Sequence, residues 1–152
     1  MLEILNHTHS GLRWIALLLL IITGVKALSG WMGNKPYLPL DRKLATFTVI
    51  SVHLQLVIGL ILYFISPTVE AALNDFGAAM KVPYLRFFAL EHILGMVVAI
   101  VFITIGSAKA KRAATDTAKH KRIAVWFLIG LVIIIAMIPW PFRSMFAGLG
   151  WF

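Results

Sequence analysis

The chain has no cysteine among its 152 residues. That excludes structural disulfides, iron–sulfur clusters, thiolate zinc sites and the thioether attachment of c-type haem. Any metal or cofactor must be held by His, Met, Asp or Glu. Charge is scarce as well. Only 13% of residues are charged, and six acids stand against fourteen Lys and Arg, for a net charge of +8. The chain carries no Gly-rich phosphate loop, no metalloprotease His–Glu pattern and no Gly-x-Ser-x-Gly elbow. No internal repeat or low-complexity tract is visible.

Apolar side chains are what the sequence has in excess. They make up 61% of it, with a mean hydropathy of +0.91, against roughly 45–50% in soluble domains. A chain of this size cannot bury so much apolar surface within itself, so lipid must be its solvent. Four apolar runs, about 12–31, 44–65, 85–106 and 123–140, each approach the ~20 residues that cross the hydrocarbon layer as a helix. The short connections favour antiparallel neighbours. The expected fold is therefore all-α: one domain over residues 1–152, an integral membrane up-down four-helix bundle. The stretch before the first run has no Lys and one late Arg, which reads as a spanning helix rather than a cleaved signal peptide.

Proline and glycine mark the run ends: Gly33-Asn34-Lys35-Pro36, Pro39, Ser66-Pro67, Pro83 and Pro139. Trp14, Trp31, Tyr63, Tyr84 and Trp140 lie near those ends, as an aromatic belt requires. The basic residues sit at run ends too, which argues for a topology signal and anionic-lipid attraction over nucleic acid. Ten of them (Lys26, Lys35, Arg42, Lys43, Lys109, Lys111, Arg112, Lys119, Lys121 and Arg122) fall on the side of the first and third connections. Four (Arg13, Lys81, Arg86 and Arg143) fall on the other. The positive-inside rule then places both termini on the outer, periplasmic face of a bacterial inner membrane.

Histidines are the residues that can carry chemistry, because ionisable groups at membrane depth are expensive and mark function. His120 falls in the basic third connection and reads as solvated. His53 lies mid-run, either in an interhelical hydrogen bond or as an axial haem ligand. Ser51, Gln55 and Gly59 face away from it, as a contact for a second protomer or a partner subunit. With Thr48, that face also suits a plain assembly subunit. His92 heads a stripe of Gly95, Ala99, Ile103 and Gly106, which either leaves room for a flat macrocycle or lets helices approach closely. His9 aligns with Arg13 if the first helix starts early, and is a further candidate ligand.

Depth discriminates among pairs. His53 lies ten residues past Lys43 and His92 seventeen before Lys109, a mismatch of roughly 10 Å; His9 against His53 is worse. His53 and His92 are thus the preferred bis-histidine pair for iron, with Arg13, Arg86 and Arg143 as partners for haem propionates. The alternative is a zinc or copper site at the outer edge from His7, His9, Glu91 and His92.

Several short motifs carry a resemblance that spans nearly the whole chain. They are His9-Ser10-Gly11-Leu12-Arg13-Trp14, His53 with Gly59, Glu91-His92-Ile93-Leu94-Gly95-Met96, and Ile138-Pro139-Trp140-Pro141-Phe142-Arg143. In these the chain resembles small bacterial four-helix membrane proteins labelled cytochrome b. The resemblance implies a b-type haem. The fourth run has no histidine, which argues against a second one. The expected function is a membrane haem protein relaying electrons to or from quinol or a partner redox subunit. So small a chain suits a carrier or subunit better than a stand-alone enzyme. A metal-binding or accessory membrane subunit is the alternative.

Overall fold

The computed structural model describes residues 1–151, and every regular element among them is helical. Four helices are long and apolar enough to cross a membrane: Leu2–Met32, Pro39–Ile65, Pro83–Lys111 and Asp116–Met137. That is the make-up of a multi-pass membrane protein. Each helix is longer than its apolar stretch, although the fourth stops at Met137, three residues short of the end of its stretch.

Helix α1 (Leu2–Met32) begins ten residues before the apolar run, with Glu3 in its first turn, where a negative charge complements the helix dipole. It stops where Asn34 adopts a φ of 48°, a left-handed conformation that Asn tolerates better than most residues. Helix α2 (Pro39–Ile65) starts with Pro at its first position, and Asp41 accepts the Leu38 N–H at 2.7 Å. Asp41 is buried and pairs with Lys26 Nζ of α1 at 3.1 Å. This ion pair ties the two helices together at their basic ends.

The connection from 66 to 82 is structured. Helix α3 (Pro67–Asn74) and the single turn α4 (Phe76–Ala79) fold under α2, and Ala72 and Ala79 bury against Ala89. The third span is composite: α5 (Pro83–Arg86), a π-helical turn (Phe87–Glu91) and α6 (His92–Lys111). Within the π turn the His92 N–H bonds five residues back to Phe87 O, and the Tyr63 hydroxyl donates to Ala89 O at 3.0 Å. Helix α7 (Asp116–Met137) is capped by Thr115, whose hydroxyl accepts the Ala118 N–H. Pro139 ends it. Its missing N–H would have served Ile135 O, and the Trp140 indole N–H donates there instead, at 2.8 Å.

Helix α7 packs closely on both α1 and α6, α1 also packs on α2, and α2 meets α6 along a looser seam. The core along these contacts includes Leu20, Val52, Ile103, Ala124 and Phe127. Small residues set the spacing. Gly95 is covered by the Met137 side chain, Gly106 by Trp126, and Ile103 lies on Gly130. The stripe below His92 is therefore occupied by α7 and serves close helix approach. At the far end, Phe146 in a 3-10 turn (Ser144–Phe146) packs against Phe87, the rings tilted by 57° with centres 4.6 Å apart.

Candidate functional site

The early start of α1 carries His9 and Arg13 one turn apart onto the face that meets α2. The His9 ring lies over Gly59, so close that a Cβ there would sit 3.2 Å from its Cε1. One turn earlier on α2, Gln55 Nε2 donates to His9 O at 3.0 Å. Arg13 Nη2 donates to Trp151 O at 2.6 Å, and the Trp14 indole N–H points to the same carbonyl at 3.4 Å. Among the described residues, three side-chain atoms of this group are buried without a hydrogen-bond partner: His9 Nδ1, Arg13 Nε and Gln55 Oε1. A buried polar atom left unsatisfied costs about 1–3 kcal/mol, so these three atoms call for a partner such as water or a bound group.

His92 faces the same region, and it lies within electrostatic range of both His9 and Arg13. Its Nδ1 is 2.7 Å from Met137 O. A carbonyl can only accept, so Nδ1 carries the proton and Nε2 keeps a lone pair. This bond also satisfies one of the carbonyls left free where α7 ends. The arrangement is how a metal-binding imidazole is commonly oriented, by donating its other N–H to a backbone carbonyl. The rings of Phe87 and Phe88 lie 5.7 and 6.3 Å from the His92 ring. They give the site an apolar wall.

The fold does not bring His53 to His92. His53 Nδ1–H donates to Val49 O of its own helix at 2.7 Å, and its Nε2 lies 3.4 Å from Thr104 Oγ1 on α6. Thr104 is twelve residues beyond His92, or about 18 Å along the helix. One iron cannot be shared across that gap, so His53 and His92 are not a ligand pair. Depth counted from the basic ends gives a mismatch of roughly 10 Å, and the contact with Thr104 shows a larger one.

The outer-edge quartet does not converge either. His7 is exposed and among the described residues reaches only Glu3, at 3.9 Å. Glu91 accepts Arg86 Nε at 2.6 Å, and Arg86 also donates to Met80 O. Among the described residues no three His, Asp or Glu side chains gather as a metal would need. Of the three arginines, Arg13 is the one within electrostatic range of both His9 and His92 among the described residues. Arg143 lies over the Phe87 and Phe146 rings at 5.9 and 5.1 Å.

Two further expectations are corrected. His120 is not solvated: α7 starts at Asp116, and the ring is 2% exposed. It lies flat against Gly30, meets the Tyr37 ring edge-on at 5.0 Å, and its Nε2–H donates to Pro36 O at 3.3 Å. The face of Thr48 and Gln55 is likewise turned inward onto α1. Thr48 is fully buried, its hydroxyl 2.8 Å from that of Thr23, and Gln55 holds His9. The sequence did not disclose the role of Met137 or the proximity of Gln55 and Gly59 to His9. A glutamine and a glycine one turn apart in an apolar run were the available signal. No protein-family model, curated protein or solved structure matches the chain.

Proposed function

We propose that this protein binds one b-type haem in its outer half and relays electrons, with His9 and His92 as the residues that would hold its iron. The observation that carries this reading is the gathering of unpartnered buried atoms of His9, Arg13 and Gln55 beside His92, whose Nε2 lone pair is unclaimed among the described residues. The donor chemistry fits. Neutral imidazole is a standard ligand of haem iron, and the Arg13 guanidinium suits a propionate. Gly59 seats the His9 ring against α2, and Gly95 is covered by the flexible, unbranched Met137 side chain.

Bound there, the haem supplies a one-electron couple. The residues of the chain would do the rest: the Met137 carbonyl orients His92, Gln55 holds the backbone at His9, and Phe87, Phe88 and Phe146 exclude water. The distribution of Lys and Arg supports an up-down bundle with both termini on the periplasmic side of a bacterial inner membrane. The exchange partner is quinol or a redox subunit, and the chain acts as a carrier or subunit.

The test is the visible spectrum of full-length protein made with haem supplied and purified in detergent. Wild type should show a Soret band with sharp α and β bands on reduction. His9→Ala and His92→Ala should lose them, and His53→Ala should keep them. A colourless wild type, or bands lost only in His53→Ala, would refute the proposal.

A further inference from the structure

At the basic end, far from the histidine pair, α1 and the 33–38 connection border a groove of about 610 Å³. One wall is apolar: Ile21, Ile22 and Val25 line it and are 42%, 42% and 57% exposed. They belong to a helix apolar enough to cross a membrane, so acyl chains are the phase that meets this wall. The rim is basic. Lys26 is paired with Asp41, but Lys35 meets no carboxylate among the described residues; its Nζ donates to the exposed Ser29 hydroxyl at 3.0 Å. The inner end is closed by His120, almost fully buried, with an unpartnered Nδ1.

The surrounding charge decides what such a groove favours. Ten Lys and Arg stand at this end against two acids, Asp41 and Asp116. Asp116 is already held by Lys119 at 2.9 Å and Asp41 by Lys26. An uncompensated lysine at the end of an apolar wall selects a negative charge attached to a hydrocarbon chain. A zwitterionic headgroup would bring its own cation against the same lysines.

We infer that this groove is a binding site for one anionic phospholipid. Its phosphate sits at Lys35, and one acyl chain lies along Ile21, Ile22 and Val25. The site is independent of the haem reading, since it shares no residue with the histidine pair.

Native mass spectrometry of the full-length protein tests it, with phosphatidylglycerol or phosphatidylcholine titrated into the detergent. One phosphatidylglycerol should be retained, at least about fivefold more tightly than phosphatidylcholine, the factor that one lysine near an anionic surface provides. Lys35→Gln should remove that preference, while Lys35→Arg should keep it. Val25→Trp should weaken both lipids by filling the groove. Lys26 is a poor probe, because its removal strands the buried Asp41. Equal retention of the two lipids by wild type would overturn the inference. So would an unchanged preference in Lys35→Gln, or equal losses in Lys35→Arg and Lys35→Gln.

Discussion

Gly30→Ala gives the sharpest test of how α7 seats against α1. A Cβ at residue 30 would lie 2.5 Å from both Nδ1 and Cε1 of His120 and 2.7 Å from its Cγ. The ring is rigid, and it is held from behind by the Pro36 carbonyl and the Tyr37 edge. It cannot swing away as a flexible chain would, so the helices must separate. Overpacking of this kind costs typically 1–3 kcal/mol, and a contact this short belongs at the upper end. Against it stands the helix propensity gained on replacing glycine by alanine, about 1 kcal/mol. The net expectation is a loss of about 2 kcal/mol, or a Tm lower by about 4–8 °C for a chain of this length.

Thermal unfolding in detergent, followed by circular dichroism, measures this effect. Gly11→Ala is the control, since nothing lies within 4 Å of the Cβ it would add; it should leave Tm level or raise it. In a His120→Ala background the penalty for Gly30→Ala should vanish, because the obstructing ring has gone. If Gly30→Ala is as harmless as Gly11→Ala, or equally harmful with and without the His120 ring, the close seating of His120 on α1 is wrong.

Lys26→Met should destabilise by about 1–3 kcal/mol, because it leaves the Asp41 carboxylate buried and unpaired. Asp41→Asn should cost less than Asp41→Ala, since the amide oxygen can still cap the Leu38 N–H; the cap itself contributes about 1 kcal/mol, and thermal melts of the three variants check the order. The Thr23 and Thr48 hydroxyls, 2.8 Å apart in the buried α1–α2 contact, should show a coupling of about 0.6 kcal/mol in a Thr23→Val/Thr48→Val double-mutant cycle. A coupling of zero would mean that the two hydroxyls are satisfied separately, Thr48 by Leu44 O.

The histidines show how far the primary structure could be read. That they matter was legible, because a titratable ring in an apolar run is costly wherever it ends up. Which of them meet was not. The pairing depends on where each helix truly begins and on the π turn before His92, where the backbone bond spans five residues instead of four. An inserted residue rotates the remainder of the helix by about 100°, and no hydropathy pattern reveals it. His120 illustrates the same limit from the other side. Its basic neighbours suggest a solvated loop, yet Thr115 caps a helix that carries Lys119, Lys121 and Arg122 outward and the histidine inward.

Sequence alone determined four membrane-length helices and the basic asymmetry of the two ends. Those properties are local sums: transfer energies over some twenty residues, broken by proline and glycine. Tertiary structure alone decided that His9 rather than His53 lies near His92, that the small-residue stripe is filled by α7, and that Lys26 and Asp41 join two helices. These depend on rotation and stagger between helices, which are set by side chains meeting across an interface and are invisible along a single chain.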